Sequence, residues 1–148
     1  MGSYHVKIAP HRIWDIPAPY RLGIMFLAHS LFLKLFIFTL PGTAQFFISI
    51  GLPGWFAYMV FAVEAIAGAF LVLGIQARWV ASATVPILAG ATWAHSGNGW
   101  MFGYENGGWE YPAYLTLLAI VQGLLGDGRF ALSPSFGPGN VQMEGETT

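Results

Sequence analysis

The sequence predicts an all-α membrane protein, a four-helix bundle running up-down-up-down with both termini in the cytoplasm. Three observations carry that expectation. The 148 residues are 55% hydrophobic and only 9% charged, with mean hydropathy +0.58, where a soluble domain carries about 25% charged residues. Four apolar stretches approach the roughly 20 residues that a helix needs to cross hydrocarbon. Lys and Arg fall on one side of those stretches.

The first span is Tyr20 to Leu40, closed by Pro41-Gly42. A loop from Pro41 to Gly54 leads to the second span, Trp55 to Ile75. Gly74 to Arg78 is so short a turn that the helices on either side must be antiparallel neighbours. The third span, Trp79 to Ser96, contains Pro86, which frees a backbone carbonyl that Ser82, Thr84 or a neighbouring helix would satisfy. Gly97-Asn98-Gly99 ends it, and the fourth span is Glu110 to Leu125. Residues 1–19, with Pro10, Pro17, Pro19 and Trp14, suit an extended interfacial segment. They lack the apolar region of a signal peptide. The four-helix domain then covers 20–132, and 133–148 reads as a flexible cytoplasmic tail.

Lys7, Arg12, Arg21, Arg78 and Arg129 all fall on the side of the N-terminus, and the two opposite loops hold no Lys or Arg. Positive residues in short loops stay inside, so this asymmetry predicts a bacterial inner membrane with cytoplasmic termini. The lipid bilayer is one expected partner. Nucleic acid is not, since six Lys and Arg residues and a net charge of −1 supply no basic face. Zero cysteines exclude thiolate metal sites and thiol redox chemistry from the chain itself.

Lys34 and Glu64 stand inside the first two spans, where a lone charge costs about 2.5 to 3.5 kcal/mol, so each needs a partner or a function. At about 1.5 Å of rise per residue, Lys34 lies roughly 9 Å and Glu64 roughly 14 Å from the outer ends of their helices. His95 ends the third span and Glu110 opens the fourth, so each helix sends one polar group to the outer half. Together they predict a polar pocket, or an ion pair that fixes helix register. His29, five residues before Lys34, would lie about 140° around an α-helix from it and suits a neutral histidine bonded to another helix. Trp100, Tyr104 and Trp109 could form an aromatic lid over a mouth made acidic by Glu105 and Glu110. Ala65, Gly68 and Ala69, with Ala89, Gly90 and Ala91, are the small residues that let membrane helices approach.

The Glu-x-x-His pairs of a di-iron bundle are missing, so no metal is expected. Neither a nucleophile with its base nor a phosphate loop is recognisable, and no catalytic residue can be assigned.

In order and spacing the chain resembles the DoxX family of small four-helix bacterial membrane proteins, from about Pro19 to Leu132. The likeness rests on His29-Ser30 through Lys34-Leu35, Phe46-Phe47 through Gly51-Leu52-Pro53, Glu64, Gly68 and Leu73 to Arg78. It ends with Gly108-Trp109-Glu110-Tyr111 and Leu125 to Phe130. In that family a His-Gly pair commonly precedes the lysine; here Ser30 stands for the glycine and His29 lies five rather than four residues upstream. Lys34, Glu64, Arg78 and Glu110 match, with Arg78 and Arg129 as cytoplasmic turn anchors. The resemblance implies a subunit or accessory of a quinone-linked membrane oxidoreductase, with other membrane or membrane-associated proteins as partners; no tightly bound cofactor is expected, and a quinone is the candidate ligand. The alternatives are a non-enzymatic assembly subunit and, further off, a small transporter.

Overall fold

The computed structural model describes residues 18–127 and 131–135, and these are helical apart from short connections. Helix α1 (Ala18–Leu27) continues into a π-helix (Ala28–Ile37), followed by α2 (Leu40–Ser49), α3 (Trp55–Leu73), α4 (Ala77–His95), a 3₁₀ turn (Ser96–Asn98) and α5 (Glu110–Leu125). Two stretches, Pro19–Ile37 and Trp55–Leu73, are long and apolar enough to cross a membrane. α5, at 16 residues, is shorter.

The first span departs from the α-helix expected of it. Ser30 is buried, and its hydroxyl donates to Phe26 O at 2.8 Å and Leu27 O at 3.4 Å. Ser82, Thr92 and Thr116 make the same i→i−4 bond within continuous α-helices, so this bond accompanies the change of turn here without causing it. From Ala28 the chain takes the wider i→i+5 turn, which closes with Phe38 N–H on Leu33 O at 2.8 Å.

The expected loop after Pro41 is also replaced by structure. Thr39 caps α2, its Oγ1 accepting from Gly42 N–H at 3.2 Å, and Pro41 sits where a helix tolerates a missing N–H. This start signal stands in the sequence as Thr39-Leu40-Pro41. α2 packs on α3 and the π-helix, with Thr43 buried.

α1 and α3 cross where two glycines meet. A Cβ on Gly23 would lie 2.9 Å from Gly68 O and from Leu71 Cβ, and one on Gly68 would lie 2.9 Å from Leu27 Cγ. The sequence reading identified Gly68 and missed Gly23, its counterpart. Contacts run from Gly23–Leu71 through Leu27–Gly68 to Lys34–Glu64, so the two helices are antiparallel. α4 and α5 form the other close pair, also antiparallel: Gly123 lies against Ser82, and Thr92 meets Thr116 at 3.3 Å between hydroxyls. Leu22, Phe26, Leu71, Ala81, Leu88 and Leu115 join the two pairs in one core. Pro86 is accommodated within a continuous α4, but neither nearby hydroxyl serves its freed carbonyl: Ser82 bonds Arg78 O and Thr84 bonds Ala81 O.

One end of the bundle is stapled. Gly74 ends α3 in the left-handed region at φ 64°, and Asp127, just past α5, accepts Arg78 N–H at 3.0 Å, capping α4 from a distant part of the chain. Of the tail expected from residue 133, Ser133–Ser135 is bonded here: Ser133 O accepts Gln76 N–H at 2.8 Å, and Asp127 accepts Ser135 N–H at 2.7 Å and its hydroxyl at 2.8 Å. The rest of that tail, nearly all of the 1–19 segment, and Arg129 lie outside the described residues.

Candidate functional site

Lys34 and Glu64 are brought together. The Lys34 ammonium donates to Glu64 Oε2 at 2.6 Å, with side chains 12% and 8% exposed. α3 supplies the carboxylate from its buried face, one turn before Gly68, where the glycine crossing draws the first helix close. The π-helix supplies the lysine.

The π geometry also moves His29. The wider π turn holds more residues than an α turn and so brings residues five apart nearer to one face, and the 140° separation expected of an α-helix does not apply. His29 lies within electrostatic range of both Lys34 and His95. His95, at the end of α4, stacks on Phe46 of α2 with ring centroids 6.0 Å apart, and its Nδ1 is 3.1 Å from Gly107 O. Thus the pair and two imidazoles occupy the same end of the molecule, with α2 and the Gly99–Trp109 loop beside them.

That loop is held by specific bonds. Asn98 donates to Asn106 O at 2.9 Å and Gly107 O at 3.0 Å. Trp109 N–H donates to Gly99 O and Glu110 N–H to Trp100 O, both at 3.1 Å, while the Trp100 and Trp109 rings meet edge to face at 4.4 Å. Tyr104 and Glu105 are exposed at its tip. Asn98 escaped the sequence reading, which treated Gly97-Asn98-Gly99 only as a helix stop.

Glu110 stands elsewhere. It lines an open hollow of about 510 Å³ with Trp100, Tyr111, Ala113, Tyr114 and Leu117, and neither Lys34, Glu64 nor either histidine lines that hollow. Among the described residues no three His, Asp or Glu side chains gather so as to hold a metal ion. The chemistry open to the central cluster is that of a buried ion pair beside two imidazoles: hydrogen-bond donation by the ammonium, and proton exchange at the carboxylate and rings.

Arg78 belongs to the opposite end. Its guanidinium lies over Gly126, where a Cβ would come within 3.2 Å of it and where φ is 89°, and beside Asp127. Burial pushes the Asp127 carboxyl up, but hydrogen bonds from Arg78 and Ser135, with the Arg78 charge, outweigh it and hold the carboxyl below the usual range. The turn motif at Leu73 to Arg78 and the Leu125-Gly126-Asp127 motif are therefore two halves of one staple.

A family model described as DoxX matches residues 20–97. The match ends before α5, so the likeness in Gly108 to Tyr111 and Leu125 to Phe130 lies outside it. A Bacillus subtilis (strain 168) protein named "Putative oxidoreductase CatD" is 39% identical over 69 residues, which are 47% of this chain and 49% of that protein. The chain thus spans about half the length of that relative. No solved structure matches.

Proposed function

Since the chain belongs to the DoxX family of membrane proteins, we propose that it is a small integral subunit or accessory of a quinone-linked membrane oxidoreductase, with Lys34 and Glu64 at the centre of its site. The observation that carries this reading is the 2.6 Å Lys34–Glu64 bond on a π-helix, with His29 in electrostatic range of Lys34 and His95 in range of His29. π-helical turns are rare and are frequently found at functional sites. A lysine ammonium has three donors, and Glu64 uses one. The remaining donors fit the carbonyl oxygen of a quinone head group, and Glu64 with the two imidazoles offers a route for its proton. Without cysteines, the chain must receive electrons from a partner protein or a soluble reductant. The oxidoreductase name of the Bacillus subtilis relative is consistent with this role.

In the same proposal α1 with the π-helix, α3, α4 and α5 each cross a bacterial inner membrane, in up-down-up-down order. The Arg78–Asp127 staple then faces the cytoplasm with both termini, and the Lys34–Glu64 pair occupies the outer half. The excess of Lys and Arg toward the staple end supports that orientation.

Titrating a quinone analogue into the protein in nanodiscs, read by tryptophan emission, tests the site. Saturable quenching that Lys34→Met abolishes is expected; no binding to the wild type refutes it. The near-complete burial of the pair favours a second reading, a non-enzymatic assembly subunit in which the pair is an internal brace. Under that reading Lys34→Met with Glu64→Gln preserves both partner co-purification and the activity of the assembly.

A further inference from the structure

The hollow beside Glu110 lies on the side of α5 that the bundle does not use. The core stripe of α5 is Pro112, Leu115, Ala119 and Gln122. Glu110, Ala113, Tyr114 and Leu117 fall at i, i+3, i+4 and i+7 on the other side, facing the surroundings of the bundle. In a membrane protein those surroundings are lipid. The hollow therefore has an apolar floor running into the bilayer and one carboxylate at its rim, with the Trp100 ring, 54% exposed, held over it. The backbone fixes that juxtaposition, since Glu110 N–H bonds Trp100 O and the Trp100 ring is braced on Trp109.

A carboxylate in a helix's first turn is well placed against the positive end of the helix, yet among the described residues no Lys or Arg pairs with Glu110. Lys34 is engaged by Glu64, and Arg78 is at the far end of α5, about 24 Å away along the helix. Arg21 adjoins Gly23, which packs against Leu71 near the α3–α4 turn, so it too is at the far end. A second copy of the chain could not bring any of these described cations to this rim in the same membrane orientation.

We propose that this hollow binds an amine-bearing phospholipid, its ammonium on the Glu110 carboxylate and the Trp100 and Tyr114 rings, its acyl chain along Ala113 and Leu117. Aromatic faces beside a carboxylate attract an ammonium through both the ring quadrupole and the charge. The phosphate is common to both kinds of head group, so the discrimination rests on the ammonium, which an anionic glycerol head group lacks.

Nanodiscs of equal parts phosphatidylethanolamine and phosphatidylglycerol provide the test, with the lipids retained after gentle extraction counted by native mass spectrometry. Phosphatidylethanolamine is expected to be enriched about tenfold, and Glu110→Gln to bring the ratio close to one. A second measurement uses brominated lipids on the wild type. Brominated phosphatidylethanolamine should quench tryptophan emission more than the brominated glycerol lipid, and Trp100→Phe should remove the difference. Equal retention or quenching of the two lipids overturns the proposal. So does an ethanolamine preference that survives Glu110→Gln, or a cationic partner chain found in the hollow with no lipid preference.

Discussion

Separating Lys34 from Glu64 energetically is the most direct perturbation. At 2.6 Å and an effective dielectric constant of about 20, the gross attraction is about 6 kcal/mol, against which stands the cost of taking both charges out of water. Removing one partner strands the other. A stranded charge within a membrane helix costs about 2.5 to 3.5 kcal/mol, and breaking a buried pair costs about 3 to 5 kcal/mol, so about 3 kcal/mol is expected for Lys34→Met or Glu64→Gln alone. The double variant strands nothing and should fall within about 1 kcal/mol of the wild type. The non-additive part is then about 5 kcal/mol, between about three and four orders of magnitude in the folding equilibrium. Unfolding by sodium dodecyl sulfate titration in mixed micelles, followed by tryptophan emission, reads all four proteins. Single variants that cost under 1 kcal/mol, or a double variant that costs the sum of the two, would refute the pair as an energetic unit.

At the glycine crossing, Gly68→Leu should cost about 1 to 3 kcal/mol or more, because even its Cβ meets Leu27 Cγ at 2.9 Å; Gly90→Leu, where a Cβ meets nothing within 4 Å, serves as control in the same titration. Asp127 holds the staple as a carboxylate with a lowered folded value, so its contribution is complete above the ordinary value of 3.8, declines as the pH falls beneath it and is gone below the folded value. Protection of Arg78 N–H from hydrogen exchange, taken relative to the intrinsic rate at each pH, should be high at neutral pH and fall only across that acid window, whereas Asp127→Asn should lower it at neutral pH. Asn98→Ala removes two bonds to the Gly99–Trp109 loop, and faster exchange at Gly107 and Gly108 without loss of global stability is the expected result.

Much of the fold was legible because it follows from composition and punctuation. Trp55–Leu73 and Glu110–Leu125 start where the sequence places them, and the α3–α4 turn closes at Gly74 as its left-handed φ requires. The pair itself was legible because two charges in apolar runs demand each other. What escaped depended on a local competition that no window average registers. The change from α to π at Ala28 is one such case, and it brings His29 nearer to the face of Lys34 than an α-helix would. α2 was hidden by its Pro and Gly, which resemble a loop until Thr39 is seen as its cap. The staple was invisible because Asp127 and Arg78 are 49 residues apart, and only packing of α4 on α5 makes them neighbours. Glu110 shares an end of the molecule with the pair but faces outward, a difference of rotation about α5 that depth along the chain cannot reveal.

The two ends of the bundle are built on different principles. At the Arg78 end, backbone donors, a charged cap and two glycines with positive φ are matched to one another, and each is committed to holding helices in place. At the other end a π-helix replaces an α-helix, and an ion pair and two imidazoles stand beside a loop. A non-glycine residue takes a positive φ at each end, Thr39 here and Gln76 at the staple, so backbone strain does not tell the ends apart. What does is the π turn, which is rare, and the charges that must leave water. A bundle selected only to hold four helices together would have no use for them at one end, since small residues and apolar packing already do that at Gly23 and Gly68. Their concentration around Lys34 and Glu64 is therefore the physical reason to look for chemistry there, with the stapled end as the support that tolerates it.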